Sequence, residues 1–306
     1  MTRLAIAAAL AGAAISGLAG CAGPSQAQQA TTARAGRAQL SLAADDRMLA
    51  VPAGRAILGS TSEERTAASD DYVGTSDPEA AAPRPTFDDE ADRHAAMLAA
   101  FRIDLMPVTQ AQYAEFVVEE HVAAPSVDAA AWRAEGFTED FAPQVARFTW
   151  TAGRPPDRRE DHPVVLVSWL EAGRYCAWRG ELRGRALRLP TADEFEKAAR
   201  GDSGLAYPWG NLFEANKLNS AVQKLGDTAP VGSYPAGASP YGALDMAGNV
   251  LQWTATPGAT PDDAVVKGSA WDDPGGVGRG ASQSQRKKTA RQVRVGFRCA
   301  GAVSAP

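Results

Sequence analysis

Three helix starts are written into this chain by one repeated device. Thr109, Ser168 and Thr191 are followed three residues later by Gln112, Glu171 and Glu194. In such a capping box the hydroxyl accepts from the third backbone N–H, and the acid or amide reaches back to the cap N–H. Apolar residues then recur on one face: Tyr113, Phe116 and Val117; Ala172, Tyr175 and Cys176; Phe195, Ala198 and Ala199. Gly180 and Gly201 stand where the second and third patterns stop, which predicts left-handed helix ends there. Beyond Gly201 the pattern disappears. Gly, Pro, Asn and Asp recur every few residues and apolar runs shorten, so small strands between loops are expected. This excludes a sandwich or a helical bundle and predicts a loop-rich domain with sparse secondary structure. Such a domain needs large aromatic side chains to fill its core. Trp169, Trp178, Trp209, Trp253 and Trp271 are the expected fillers.

The front of the chain reads differently. Met1-Thr2-Arg3 is a short positive start, and residues 4–19 are apolar and rich in Ala and Gly. That stretch is too short and too weakly hydrophobic to span a membrane and reads as an export signal. It ends at Leu18-Ala19-Gly20-Cys21, which resembles a bacterial lipoprotein cleavage site, so residues 1–20 are expected to be removed and Cys21 lipidated. Ala22 in place of Asp after that cysteine favours the periplasmic side of the outer membrane. Residues 21–44 hold few large apolar side chains, cannot offset the entropy of ordering and read as a flexible tether. Residues 45–302 then suit one domain. Within it, residues 61–95 are polar without a sustained period and predict a long surface loop, and Phe101–Asp104 alternates like a strand. The net charge of −5 argues against nucleic acid as a partner.

From Asp161 to Ala300 the chain resembles the sulfatase-modifying-factor, or formylglycine-generating enzyme, family. The resemblance rests on His162-Pro163-Val164-Val165 leading into Val167-Ser168-Trp169, then Tyr175-Cys176-Ala177-Trp178, Arg188-Leu189-Pro190-Thr191 and Ala198-Ala199-Arg200-Gly201. It continues through Tyr207-Pro208-Trp209-Gly210-Asn211, residues 230–235 (PVGSYP) and Asp245-Met246-Ala247-Gly248-Asn249-Val250. It closes with Gly268-Ser269 and Gly296-Phe297-Arg298-Cys299-Ala300. The implied architecture is an α+β, C-type-lectin-like sulfatase-modifying-factor fold with little regular secondary structure, with residues 48–54 and 57–60 as its opening strand and turn. After Cys21 only Cys176 and Cys299 remain. An even pair in an exported protein suggests either one disulfide or two free buried thiols. The corresponding cysteines of the family are bonded to each other.

The resemblance also implies sites. Family catalysts hold copper with two thiols shortly after the Gly-Ser step, and here those places fall at about Asp272 and Val277. A carboxylate and a valine cannot replace the soft dithiolate that selects Cu(I), so copper is not expected. The implied groove comprises Leu251, Ser269, Trp271, Asp272 and Arg279. A calcium loop is implied at Asp245 (carboxylate), Gly248 and Val250 (carbonyls) and Gln252 (side-chain oxygen), where the family carries Glu in the last place. A weaker one is implied at Asn219 and the carbonyl of Ser220, with further ligands near Gln223 and Leu225. Calcium accepts such hard oxygen donors. His94, His121 and His162 lack metal-like spacing. The basic stretch Arg279, Arg286-Lys287-Lys288, Arg291 and Arg294 reads as a solvated loop or as a groove for an anionic or peptide partner. Arg298 is expected in an internal ion pair. No nucleophile elbow or phosphate-binding loop is present. These readings favour a lipid-anchored, calcium-stabilised accessory or binding module. The alternative is a divergent tailoring oxidoreductase resembling the pyoverdine-maturation branch.

Overall fold

The computed structural model describes residues 47–77, 84–136 and 140–303. The signal, Cys21 and the tether lie outside the described residues. Strand β1 (Met48–Val51) enters first, followed by β2 (Gly54–Leu58). Next comes a helix, α1 (Ser62–Thr75), where a polar loop was expected. It opens with a fourth capping box, Thr61 with Glu64. Its interior is polar nearly all round and buries only Ala68 and Ser69, so no apolar stripe marks it in the sequence. Strand β3 (His94–Leu98) follows, starting at the end of the expected loop, and pairs with β2 as a two-stranded ribbon.

Strand β4 (Phe101–Asp104) leads into α2 (Gln110–Glu119), capped by Thr109 and Gln112. Two short helices follow, α3 (Ala129–Ala134) and α4 (Phe141–Val145). Helix α5 (Trp169–Leu182) starts at Ser168 with Glu171, and α6 (Ala192–Arg200) starts at Thr191 with Glu194. Gly201 ends α6 at φ 68°. Gly180 does not end α5, which runs on to Leu182. A side chain at Gly180 would meet the backbone of Arg185 and Leu187. The glycine therefore serves the close passage of β5 (Leu187–Arg188) rather than a helix cap.

One sheet has the order β1-β4-β10-β5, with β10 (Ala300–Ala302) antiparallel to both neighbours. The opening and closing strands of the domain thus share one sheet. A second four-stranded sheet holds β6 (Leu251–Pro257), β7 (Asp263–Lys267), β8 (Gln283–Lys287) and β9 (Val295–Gly296) in the order β8-β7-β6-β9. Strand β9 is parallel to β6, and the other pairs are antiparallel.

Cys176 in α5 and Cys299 before β10 form a disulfide with Cα atoms 5.6 Å apart, spanning 123 positions. Around it lies an aromatic core. Tyr113 stacks on Tyr175 at 5.5 Å, and Tyr175 meets Phe297 edge-on at 5.4 Å. Trp178 contacts Phe116 at 5.3 Å. Trp253 is fully buried, and its indole donates to the Val167 carbonyl. Trp178 and Trp271 are buried as expected, whereas Trp169 and Trp209 are half-buried, and Trp132 and Trp150 join the interior instead.

Two buried charge networks tie the sheets to the helices. Glu196 of α6 accepts from Lys267 at 2.8 Å, Arg200 at 2.5 Å and the Gly59 backbone at 2.7 Å. Those three donors hold its carboxyl below the usual range against the opposing effect of burial. Arg298 forms the second network, and among the described residues no ion pair holds it. Its guanidinium donates to Gln252 Oε1 at 2.6 Å and to the carbonyls of Leu244, Asp245, Asp104 and Leu105. Burial pushes its pKa down to about 10.

Candidate functional site

Strand β7 delivers the chain from Lys267 into the segment that resembles the family's catalytic turn. Gly268 adopts φ 82°, a conformation that favours glycine, and redirects the backbone. Ser269 points inward, and its hydroxyl accepts from the Gly248 N–H at 2.7 Å. The Trp271 N–H donates to the Asn249 carbonyl at 3.0 Å. Asp273 closes the turn by accepting at its carboxylate from the Ala270 N–H at 2.7 Å.

Trp271 and Asp272 are left with unsatisfied polar atoms. The Trp271 indole N–H and Asp272 Oδ1 are both buried without a hydrogen-bond partner. Asp272 Oδ2 is paired with Arg294. Burial pushes the Asp272 carboxyl up to about 6, with Arg294 opposing and Asp273 adding to the rise. Arg147 lies over the Trp271 ring at 5.3 Å. Leaving buried donors and acceptors unpaired costs about 1–3 kcal/mol each, so a site that retains them is a place to look for a ligand.

The turn that follows, Gly275–Gly278, is covered by α1. A Cβ on Gly276 would strike the Ala68 carbonyl and the Tyr72 N–H, and the Gly275 N–H donates to Thr75 Oγ1 at 2.7 Å. Val277, at the place of the second family thiol, lies in this covered turn.

The five residues expected to line one groove are therefore distributed among different surroundings. Leu251 is buried in the aromatic core and Ser269 braces the Asp245 loop. Arg279 is buried and donates to Glu90 at 3.3 Å and to Ser60 at 3.0 Å. It borders a pocket of about 430 Å³ shared with Tyr207, Asp71, Glu64 and Arg93. In that pocket Tyr207 donates to Asp71 at 2.5 Å. Only Trp271 and Asp272 keep free polar capacity. Glu90 and Ser60, the partners of Arg279, went unrecognised in the sequence because Glu90 sits in the stretch read as loop.

Arg294 borders a second, more open basin of about 510 Å³ with Arg286, Lys287, Gln285, Gln292, Glu135 and Asp263. The basic stretch thus divides. Arg294 pairs with Asp272, Arg291 with Glu171 and Lys287 with Asp263, while Lys288 lies over the Trp169 ring at 4.9 Å.

The two expected calcium sites differ in what they offer an ion. At the first, Gln252 turns its amide oxygen to Arg298 and donates its N–H to the Asp245 carbonyl at 2.8 Å. The Asp245 carboxylate is buried and accepts from the Gly232 N–H at 2.9 Å, and burial raises its pKa. A fixed guanidinium already supplies positive charge there, and the Gln252 oxygen is committed to it. This donor set does not fit a calcium ion. At the second, Asn219 Oδ1 and the Ser220 hydroxyl are buried without partners. Hard oxygens of this kind are donors that calcium accepts, and they supply two of the roughly six to eight it takes. Gln223 instead donates to the Ala215 carbonyl. His162 shares a hydrogen bond with Thr228 at 2.9 Å, and burial lowers its pKa. Among the described residues no group of three His, Cys, Asp or Glu is placed to hold a metal.

An α+β fold with sparse regular structure, a core disulfide and a turn after Gly268-Ser269 that carries no thiol defines a formylglycine-generating-enzyme-like domain. The chain belongs to the sulfatase-modifying-factor family, whose enzyme 1-like domain matches residues 27–303. It is 33% identical to the inactive C-alpha-formylglycine-generating enzyme 2 of Mus musculus, over 88% of this chain and 90% of that protein. The formylglycine-generating enzyme of Mycobacterium tuberculosis is 29% identical over 70% of this chain and 91% of its own length. A hercynine oxygenase of Mycolicibacterium smegmatis is 30% identical, but this chain spans only 56% of that protein. Among solved structures, PvdO from Pseudomonas aeruginosa superposes with a TM-score of 0.61 at 22% identity, covering 84% of this chain and 94% of that one. CarF superposes at 0.57 and 20%, covering 84% and 98%. At these identities PvdO and CarF establish the fold and leave the chemistry open.

Proposed function

We propose that this domain is a non-copper, ligand-binding or accessory member of the family, held at the bacterial envelope by a lipid on Cys21. The observation that carries this reading is the loss of both soft ligands. The chain has three cysteines, and the two in the domain are bonded to each other. The first thiol place holds Asp272, paired with Arg294, and the second holds Val277 beneath α1. Soft thiolates are what Cu(I) requires, and none is available at this turn. Similarity to a relative described as inactive agrees with this reading.

Metal analysis of the purified full-length protein tests it. The expected result is no stoichiometric copper and no conversion of a sulfatase-derived cysteine peptide; copper at one per chain, or turnover, refutes the reading. Calcium belongs to the proposal at Asn219 and Ser220. An ion that binds only the folded state stabilises it by about 2.7 kcal/mol at a hundredfold excess over its Kd. Added calcium should raise the midpoint of thermal unfolding, and Asn219→Ala should remove that response while Gln252→Ala leaves it in place. The envelope reading predicts that labelled palmitate enters the protein and that Cys21→Ala abolishes the label.

A second reading, a tailoring oxidase-type enzyme, is favoured by the Trp271–Asp272 pair itself. A carboxyl that titrates near 6 beside an unpartnered donor is equipped to move a proton at neutral pH. Hercynine oxygenase among the relatives supports this reading. The two readings separate at Asp272→Asn. Loss of oxygen consumption with unchanged ligand affinity supports the enzyme. Altered affinity, with no oxygen consumption in either protein, supports the binding module.

A further inference from the structure

Strand β8 stands at the edge of its sheet, paired on one side with β7 and on the other with no strand among the described residues. Its sequence is Gln283-Ser284-Gln285-Arg286-Lys287. An edge strand offers backbone N–H and C=O groups to any extended chain that fits, and charged side chains on it repel a second copy of the same edge. On β8 the Lys287 carbonyl is already engaged by the Ala290 N–H, and the Gln285 carbonyl by the Arg286 side chain, a contact that a carboxylate on Arg286 would release. The open basin described above lies against this strand. Gln285 and Lys287, on one face of the strand, and Arg286, on the other, all border it. Space therefore wraps the strand rather than covering one side of the sheet.

The charges around the basin are mostly neutralised within the chain. Lys287 pairs with Asp263 at 2.9 Å and Arg294 pairs with Asp272. Glu135 accepts from Gln292 at 2.8 Å. Arg286 is the exception. Its guanidinium donates to the Gln285 carbonyl at 2.8 Å and, at a long 3.4 Å, to the Gln292 amide oxygen. No carboxylate among the described residues lies within ion-pairing distance of it. Burial depresses its pKa, and the field of Asp273, Glu135 and Asp89 only partly offsets this. A half-buried guanidinium with donors to spare favours a bidentate carboxylate.

We infer that β8 and Arg286 form a docking site for an extended acidic segment of a partner protein, which adds as a strand beside β8 and places a carboxylate on Arg286. This deepens the binding reading above and rests on it. Five residues of β8 span roughly 17 Å at about 3.4 Å per residue, enough for a short linear segment. Backbone pairing supplies affinity in such an addition, and the side-chain contact supplies selectivity.

The test uses the full-length protein and an N-acetylated, C-amidated peptide of alternating Val and Asp, six residues long. Two further peptides carry Asn for Asp, or N-methyl groups on alternate backbone nitrogens with every Asp retained. Inorganic phosphate is the fourth probe. The Asp peptide should bind at least tenfold more tightly than the Asn and N-methyl peptides and slow amide exchange at residues 283–287. The variant Arg286→Gln should erase the preference for Asp over Asn. Equal binding of the Asp and Asn peptides overturns the inference. So does undiminished binding of the N-methyl peptide, or phosphate that matches the Asp peptide in affinity, since either outcome marks a plain anion site. These outcomes are independent of copper content and turnover, which judge the underlying reading.

Discussion

Two stretches only a few residues apart show opposite ways of burying polarity. Lys267, at the end of β7, is fully buried and paired, with Glu196 at 2.8 Å and the Ala281 carbonyl at 3.0 Å. Trp271 and Asp272, four and five residues on, are also sheltered from water, yet each keeps an unpaired polar atom. A satisfied network rigidifies a core, and a partly satisfied one carries a standing cost. Natural sequences accept such local conflict mainly at functional sites. The contrast sets Lys267, Glu196 and Arg200 apart as scaffold and is what makes Trp271–Asp272 the candidate for the ligand or proton handling proposed above.

The largest expected effects lie on the scaffold side. Replacing Cys176 and Cys299 by alanine opens a loop of 123 positions and should cost about 5 kcal/mol in urea unfolding, by the chain-entropy model. Glu196→Ala leaves Lys267 and Arg200 buried without a counter-charge and should cost about 3–5 kcal/mol. A loss below 1 kcal/mol would remove the distinction between the two stretches.

On the other side, Asp272→Asn should stabilise the fold. The Asp272 carboxyl rises from 3.8 to about 6 on folding, so the folded state holds its proton more tightly than the unfolded state. Stability contributed by this group is present below pH 3.8 and lost as pH climbs toward 6, a loss on the order of 3 kcal/mol. The variant should match the wild type at pH 3.5 and exceed it by up to that amount at pH 7, as read from unfolding midpoints. A constant difference across that range means that Asp272 is already satisfied.

Two smaller effects probe the cover over the turn. Gly276→Ala forces a methyl group against the backbone of α1 and should cost about 1–3 kcal/mol, with faster amide exchange along that helix. Thr61→Ala removes one cap and should cost about 1 kcal/mol.

The parts of this architecture that depend on neighbouring residues were legible in the chain. Thr109, Ser168 and Thr191 begin helices because their bonds reach only three residues ahead, so composition and spacing carry the whole argument. The same box at Thr61 and Glu64 was present and went unrecognised. Helix α1 lacks an apolar stripe and is held by a glycine turn some 200 positions away. Asp272 was singled out as a candidate, but its free oxygen and its pairing with Arg294 depend on how β7, β9 and the intervening turn meet. Gln252 was assigned to calcium from its place in a loop, and its orientation was decided by Arg298 from across the domain.

The chain by itself determined the three patterned helices, the loop-rich second half and the absence of a dithiol at the catalytic turn, because each is a matter of residue identity and short-range bonding. Tertiary structure decided which buried polar groups found partners, which expected groove residues became scaffold, and which edge of a sheet stayed open. Hydrogen bonds and ion pairs between residues distant in the chain depend on relative placement of elements, and one-dimensional spacing does not encode that placement.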